Sequence, residues 1–296
     1  MRDFLYRIRA GEIIVADGAM GTMCFEAGLR VGDCPELLNI ENPQLIEDIT
    51  RSYLEAGSQI VQTNTFGGTA LKLAPYGLQK RSAEINEAAV KIARRAAGDR
   101  AYISGSCGPS GKILQPYGDT EPEIIYASFR EQINALIEAG ADIITVETMV
   151  DLEEAKLAIK AARQISSTIP VMAAMTFDST PNGFFTIMGI SIEDAAVGLK
   201  EAGADIIGSN CGNGIRDMVM IASGFRQATD MPLIIQSNAG LPKVENGKTV
   251  YTETPEMMAE HAKDLMVLPV SVIGGCCGTT PEHIRALRKM VDSWAA

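Results

Sequence analysis

Short apolar, β-branched runs alternate with segments of helical period along the whole chain. The runs predict strands at 13–17, 58–65, 101–107, 141–147, 170–176, 204–210, 232–238 and 270–275. Between them apolar residues recur on one helical face near 43–56, 81–97, 121–139, 151–166, 191–202, 214–228 and 254–267, with a last segment at 281–291. Pro43, Pro122, Pro255 and Pro281 stand at first-turn positions, where a missing N–H is tolerated. An echo recurs in Glu55-Ala56-Gly57-Ser58, Glu138-Ala139-Gly140-Ala141 and Glu201-Ala202-Gly203-Ala204, with glycine placed to end a helix before a strand.

Strands that are apolar nearly throughout belong in a parallel sheet covered on both faces. Eight strand–helix units in series favour a (β/α)₈ barrel over a doubly wound sheet. No linker, low-complexity segment or charge run divides the 296 residues, so the expectation is an α/β protein with one domain spanning 1–296.

Composition changes this picture little. With 46% hydrophobic and 21% charged residues the chain can build a large core. A formal charge of −11 and no basic patch argue against a nucleic-acid surface. The amino-terminal stretch Met1-Arg2-Asp3-Phe4-Leu5-Tyr6-Arg7-Ile8-Arg9 lacks the apolar core of a secretory signal, and no run approaches the length of a membrane span. The expectation is a cytoplasmic protein, not membrane-bound, whose six cysteines stay reduced and serve a metal or catalysis rather than disulfides.

In a barrel of this kind the chemistry sits at the carboxyl ends of the strands. Two of those ends carry sulfur: Ser209-Asn210-Cys211-Gly212 in unit six and Gly274-Gly275-Cys276-Cys277-Gly278 in unit eight. Adjacent side chains on an extended strand point opposite ways, so the vicinal pair converges only if its glycines bend the chain. Either Cys211, Cys276 and Cys277 form an open three-thiolate site, most simply for zinc, or Cys277 packs as a small hydrophobe beside a reactive Cys276. A zinc ion held by three thiolates polarises carbonyls poorly but keeps a substrate thiol deprotonated, which favours thiol alkylation over hydrolysis. Cys24 and Cys34 flank the first βα loop; Cys107 ends the third strand, where it either approaches the mouth or, as free cysteines more often do, packs as an apolar plug; His261 and His283 read as helix-surface residues.

Together, Asp17-Gly18-Ala19-Met20-Gly21-Thr22, Thr63-Asn64-Thr65-Phe66-Gly67, Gly208-Ser209-Asn210-Cys211-Gly212, Ser237-Asn238-Ala239-Gly240-Leu241-Pro242 and Gly274-Gly275-Cys276-Cys277-Gly278-Thr279-Thr280-Pro281-Glu282-His283 resemble the zinc-dependent homocysteine S-methyltransferases. Within that family they look most like the homocysteine-binding module of the cobalamin-dependent methionine synthases, from about residue 11 onward. The resemblance implies a (β/α)₈ barrel with one zinc on Cys211, Cys276 and Cys277, and methyl transfer to homocysteine giving methionine. It implies that Glu147, in Val146-Glu147-Thr148, takes the substrate ammonium and that the backbone N–H groups of Gly18 and Ala19 take its carboxylate. Asp17 falls beside them, in the amino-acid pocket or as a cap for the first loop. Asn238 matches the residue that fills the fourth metal position when substrate is absent.

Known donors in the family are a methylated corrinoid, glycine betaine and S-methylmethionine, and the Asp17–Thr22 motif looks most like the corrinoid branch. Neither His261 nor His283 has Asp two residues before it, so no corrinoid-ligating Asp-x-His-x-x-Gly motif is present, and no folate-binding barrel follows. Methylcobalamin is therefore expected in trans, on a separate corrinoid-binding protein. The alternatives are another methyl donor or another thiol acceptor on the same site, an iron–sulfur lyase, a Schiff-base aldolase, and a non-catalytic module that docks a corrinoid protein. Cluster spacing disfavours the lyase, and the lack of a lysine at a strand end disfavours the aldolase, since Lys112 and Lys243 fall in longer loops.

Overall fold

Eight parallel strands follow one another in the predicted order: β1 (Ile14–Val15), β2 (Ile60–Gln62), β3 (Tyr102–Cys107), β4 (Ile143–Met149), β5 (Val171–Met175), β6 (Ile206–Asn210), β7 (Leu233–Ser237) and β8 (Val272–Gly275). The computed structural model describes residues 3–245 and 248–294; Met1 and Arg2 of the amino-terminal stretch lie outside the described residues. Each strand pairs with its sequence neighbours, and β8 returns to β1 through Ile14 opposite Val272. The remaining seam, β1 to β2, is closed by a single bridge between Ala16 and Ile60 and by Gln62 N–H donating to Asp17 Oδ2 at 2.7 Å. The sheet is the expected (β/α)₈ barrel.

The helices follow in step: α1 (Pro43–Ala56), α2 (Ser82–Ala97), α3 (Pro122–Glu138), α4 (Leu152–Ile165), α5 (Ile192–Ala202), α6 (Ile215–Ala228), α7 (Pro255–Val267) and α8 (Pro281–Trp294). Their apolar faces and the outward-facing strand residues form one continuous core ring. All four prolines open helices as expected, and Gly57, Gly140 and Gly203 adopt φ of +106°, +97° and +99°.

The echo around those glycines reaches two residues further than the helix stops require. Gln59, Asp142 and Asp205 occupy equivalent places, and each side-chain oxygen takes a strand N–H: Val15 (3.2 Å), Ile103 (2.7 Å) and Val171 (2.8 Å). An arginine from an even-numbered helix bonds the same residue: Arg288 to Gln59, Arg94 to Asp142 and Arg163 to Asp205. The repeat therefore records a brace at the amino-terminal rim.

A helix at Phe4–Arg9 plugs that end of the barrel. Phe4 and Ile8 pack on Ile14, Ile60, Tyr102, Ile143, Met172, Ile206, Ile234 and Val272, and Phe4 meets the Tyr102 ring edge-on at 5.1 Å. The pattern reading assigned no element here, because six residues are too few for periodicity to register. It also missed a short helix at Met20–Glu26 and two antiparallel strand pairs at the opposite rim, Asp178–Thr180 with Gly183–Phe185 and Lys243–Glu245 with Lys248–Val250. Strands of three residues are too short for any alternation to stand out. No helix among the described residues is long and apolar enough to cross a membrane.

Candidate metal centre and amino-acid pocket

Strand β7 lies between β6 and β8, and its backbone carries both sulfur-bearing ends. Cys211 N–H donates to the Gln236 carbonyl (3.1 Å), Cys276 N–H to that of Ser237 (2.7 Å), and Ala239 N–H to that of Cys277 (3.0 Å). Cys211 has left the strand with φ +62°, an unusual conformation for a residue with a Cβ. The bend at Cys276-Cys277 ends in Gly278 at φ +79°, so the glycines do what the vicinal pair needs.

The three Sγ atoms all lie within 4.8 Å of one another, and those of Cys211 and Cys277 are 3.7 Å apart. Ligands at a Zn–S distance of about 2.3 Å in tetrahedral geometry would be about 3.8 Å apart. Asn238 Oδ1 is buried without a hydrogen-bond partner, while the Asn238 side chain bonds to Cys211. Three soft donors and an orphaned oxygen fit a zinc ion. Hydrogen bonds from Cys276 and Cys277 pull the Cys211 thiol down, and their contact with Cys211 pushes both of their own thiols up.

A cavity of about 230 Å³ opens beside the sulfurs, walled by Gly18–Thr22, Glu36, Thr63–Phe66, Ser106, Glu147, Thr148 and the three cysteines. Glu147 faces it from the end of β4. Burial lifts the Glu147 carboxyl to about 7, against the hydrogen bond from Ser106 Oγ. Asn210 Nδ2 reaches Glu147 Oε2 at 3.3 Å and Cys276 Sγ at 3.8 Å, so one amide touches both halves of the site.

Asp17 and Asn238 do not border this cavity. Asp17 stands at the barrel seam, with burial lifting its carboxyl to about 8 and Oδ1 left unpartnered. The Ala19 N–H, expected to be open to a carboxylate, donates to Thr279 Oγ1 at 3.2 Å, and Thr279 in turn donates to the Cys276 carbonyl. A substrate carboxylate would have to take that N–H from Thr279.

The other sulfurs stay apart. Cys107 is fully buried in the core, as a plug should be, and all six cysteines are unpaired. His261 bonds Arg216 on the helix surface. His283 corrects the sequence reading: it is only 7% exposed and sits inside the site's support. Its Nδ1 accepts the Thr280 N–H at 3.1 Å, which leaves Nε2 as the donor to the Glu253 carbonyl at 3.0 Å.

Sequence reasoning did not find that support. Glu253 N–H donates to the Ala239 carbonyl, its carboxylate takes the Ile215 N–H, and Tyr251 lies with its ring on Gly278, within hydrogen-bonding reach of Cys277. A lone Tyr and Glu in a loop carry no spacing signal. The available hint was the glycines at 214 and 278, where a Cβ would collide with Glu253 and Tyr251 respectively.

The profile of the homocysteine S-methyltransferase family matches residues 14–291. The methionine synthase of Mycobacterium leprae is 33% identical over 299 residues, covering 95% of this chain and 24% of the relative. That of Mycobacterium tuberculosis is 33% identical over 304 residues, covering 97% and 25%. The chain thus spans about a quarter of the length of these curated relatives. Among solved structures, the metallated homocysteine methyltransferase MmuM of Escherichia coli shares the fold with a TM-score of 0.78 at 23% identity, covering 94% of this chain and 96% of that one. Its apo form gives 0.74 at 23% identity over 98% of each chain. A profile that takes in every barrel strand and all three cluster cysteines is decisive: the chain belongs to the homocysteine S-methyltransferase family.

Proposed function

We propose that this protein transfers a methyl group to the thiol of homocysteine, giving methionine, at a zinc site formed by Cys211, Cys276 and Cys277. The observation that carries the reading is the convergence of three sulfurs within 4.8 Å of one another, two of them 3.7 Å apart, beside a cavity with an acidic wall. Zinc bound there would hold the substrate thiol as a nucleophilic thiolate at neutral pH.

The chain's own groups place the rest of the substrate. Glu147, ionised in the complex, takes the ammonium group, while the Gly18 and Ala19 amides take the carboxylate once Thr279 yields. Asp17 holds the first loop to β2 so that those amides stay in register. Asn238 offers its unpartnered Oδ1 to the metal in the absence of substrate. In the reaction the new S–CH₃ bond forms as the donor–carbon bond breaks, the electron pair stays with the donor, and the thiol proton goes to solvent. Orientation of the two reactants supplies much of the acceleration.

A methylated corrinoid on a partner protein is the proposed donor. The methionine synthase relatives support it, and so do exposed apolar side chains in segments that follow the strand ends, Phe66, Ile113, Tyr117, Ile187, Leu241 and Val244, which suit a macromolecular carrier. The reduced sulfurs suit a cytoplasmic setting. The test is methionine formation from homocysteine and methylcobalamin by zinc-assayed protein, with and without a chelator. Turnover at about one zinc per chain, lost on chelation, is expected. Turnover only with S-methylmethionine or betaine would reassign the donor, and turnover indifferent to zinc would overturn the mechanism.

A further inference from the structure

We propose that Asn210 is the positioning residue that joins the amine pocket to the sulfur cluster, by holding Thr148 in a left-handed conformation that turns Glu147 into the cavity. The inference rests on the reading of Glu147 as the ammonium site and extends it to how that carboxylate is aimed.

The register of β4 against β5 shifts between Val146 and Met149, so Glu147 and Thr148 form a bulge at the strand end. Bulges of this kind re-aim a side chain at the mouth of a barrel. Thr148 has φ +59°. A β-branched residue reaches that conformation only where its surroundings compel it.

Asn210 does the compelling. Its Oδ1 accepts the Thr148 N–H at 2.7 Å and its Nδ2 donates to Thr148 Oγ1 at 2.8 Å. Since a backbone N–H can only donate, the amide has one orientation, and Nδ2 must face Glu147 and Cys276. Asn210 is fully buried and does not itself border the cavity. It acts through Thr148 and Glu147. A carboxylate at this position would lack the donor and would set charge against both Glu147 and a thiolate, so aspartate cannot replace it.

The readout is the preference of the zinc-loaded protein for homocysteine over 4-mercaptobutyrate, which carries the same thiol and carboxylate but no amine. Both ligands make the sulfur contact, so their affinity ratio isolates the ammonium site. Glu147→Gln should abolish the preference. Asn210→Ala should reduce it about tenfold or more, because Thr148 leaves its positive φ and the Glu147 carboxylate turns away from the ammonium. The double variant Asn210→Ala/Thr148→Gly should regain most of it, because glycine takes positive φ without being held there. It also carries the test where Asn210→Ala alone fails to fold. A wild-type ratio in Asn210→Ala, or no recovery in the double variant, overturns the proposal. No preference in the wild-type protein would sink the Glu147 reading as well. Preference lost in Glu147→Gln but intact in Asn210→Ala defeats this inference alone.

Discussion

The sulfurs of Cys211 and Cys277 lie 3.7 Å apart although the two residues are 66 positions apart in the chain. Backbone bonds tie both cysteines to β7. Those bonds do not depend on the sulfur atoms, so each sulfur is replaceable without loss of the fold. Cys211→Ala is expected to lose zinc retention and methyl transfer while the metal-free protein melts within a few degrees of the wild type, the shift of about 1 kcal/mol or less. Zinc analysis after gel filtration checks it, and a fully active variant would contradict the proposed mechanism.

Two carboxyls raised by burial give stability a definite pH dependence. Asp17 at about 8 and Glu147 at about 7 bind protons in the folded state that the unfolded chain releases near pH 4. The unfolded chain then binds fewer protons, so stability is greatest below pH 4 for these groups and declines as pH rises to 7–8. In metal-free, substrate-free protein, Glu147→Gln should remove its share, on the order of 3 kcal/mol between pH 5 and 8. Urea midpoints for the two proteins across that range should diverge with pH, and parallel curves would refute the assignment.

Gly278 gives room to Tyr251. A Cβ there would sit 2.1 Å from Tyr251 Cγ, at a backbone φ of +79°. Gly278→Ala should lift the ring from Cys277 and weaken zinc binding roughly 10–100-fold, the effect usual for partners behind metal ligands. Competition with a chromophoric chelator measures it. Unchanged affinity would show that the ring does not support the cluster.

The rim braces predict a graded cost. Asp142→Ala and Asp205→Ala each leave a strand N–H without its acceptor and an arginine without its carboxylate, and should destabilise by about 1–3 kcal/mol. The metal and substrate sites lie at the opposite rim, so zinc content and homocysteine affinity should not change. Denaturant melts together with zinc assays separate the two effects, and a loss of zinc would show that the rims are coupled.

The sequence by itself determined the barrel, because strand burial and helix amphipathicity are local patterns that repeat eight times and leave one compact solution. It also brought two sulfur-bearing strand ends to one mouth: Cys211 and Cys276-Cys277 end strands two apart, and all strand ends of a parallel barrel face one way. What lay two residues past the echoed glycines was visible as Gln59, Asp142 and Asp205, yet its meaning depended on arginines about 40 or more residues away. The rest was decided only by tertiary structure. Whether Cys277 turns inward depends on φ at Gly278 and on the ring of Tyr251 above it. Whether His283 is surface or support depends on Glu253 arriving opposite it. Whether Glu147 faces the cavity depends on Asn210 meeting a strained Thr148 across 62 residues. Such contacts join residues distant in the chain through single side chains, and a single residue has no periodicity by which a sequence could announce it.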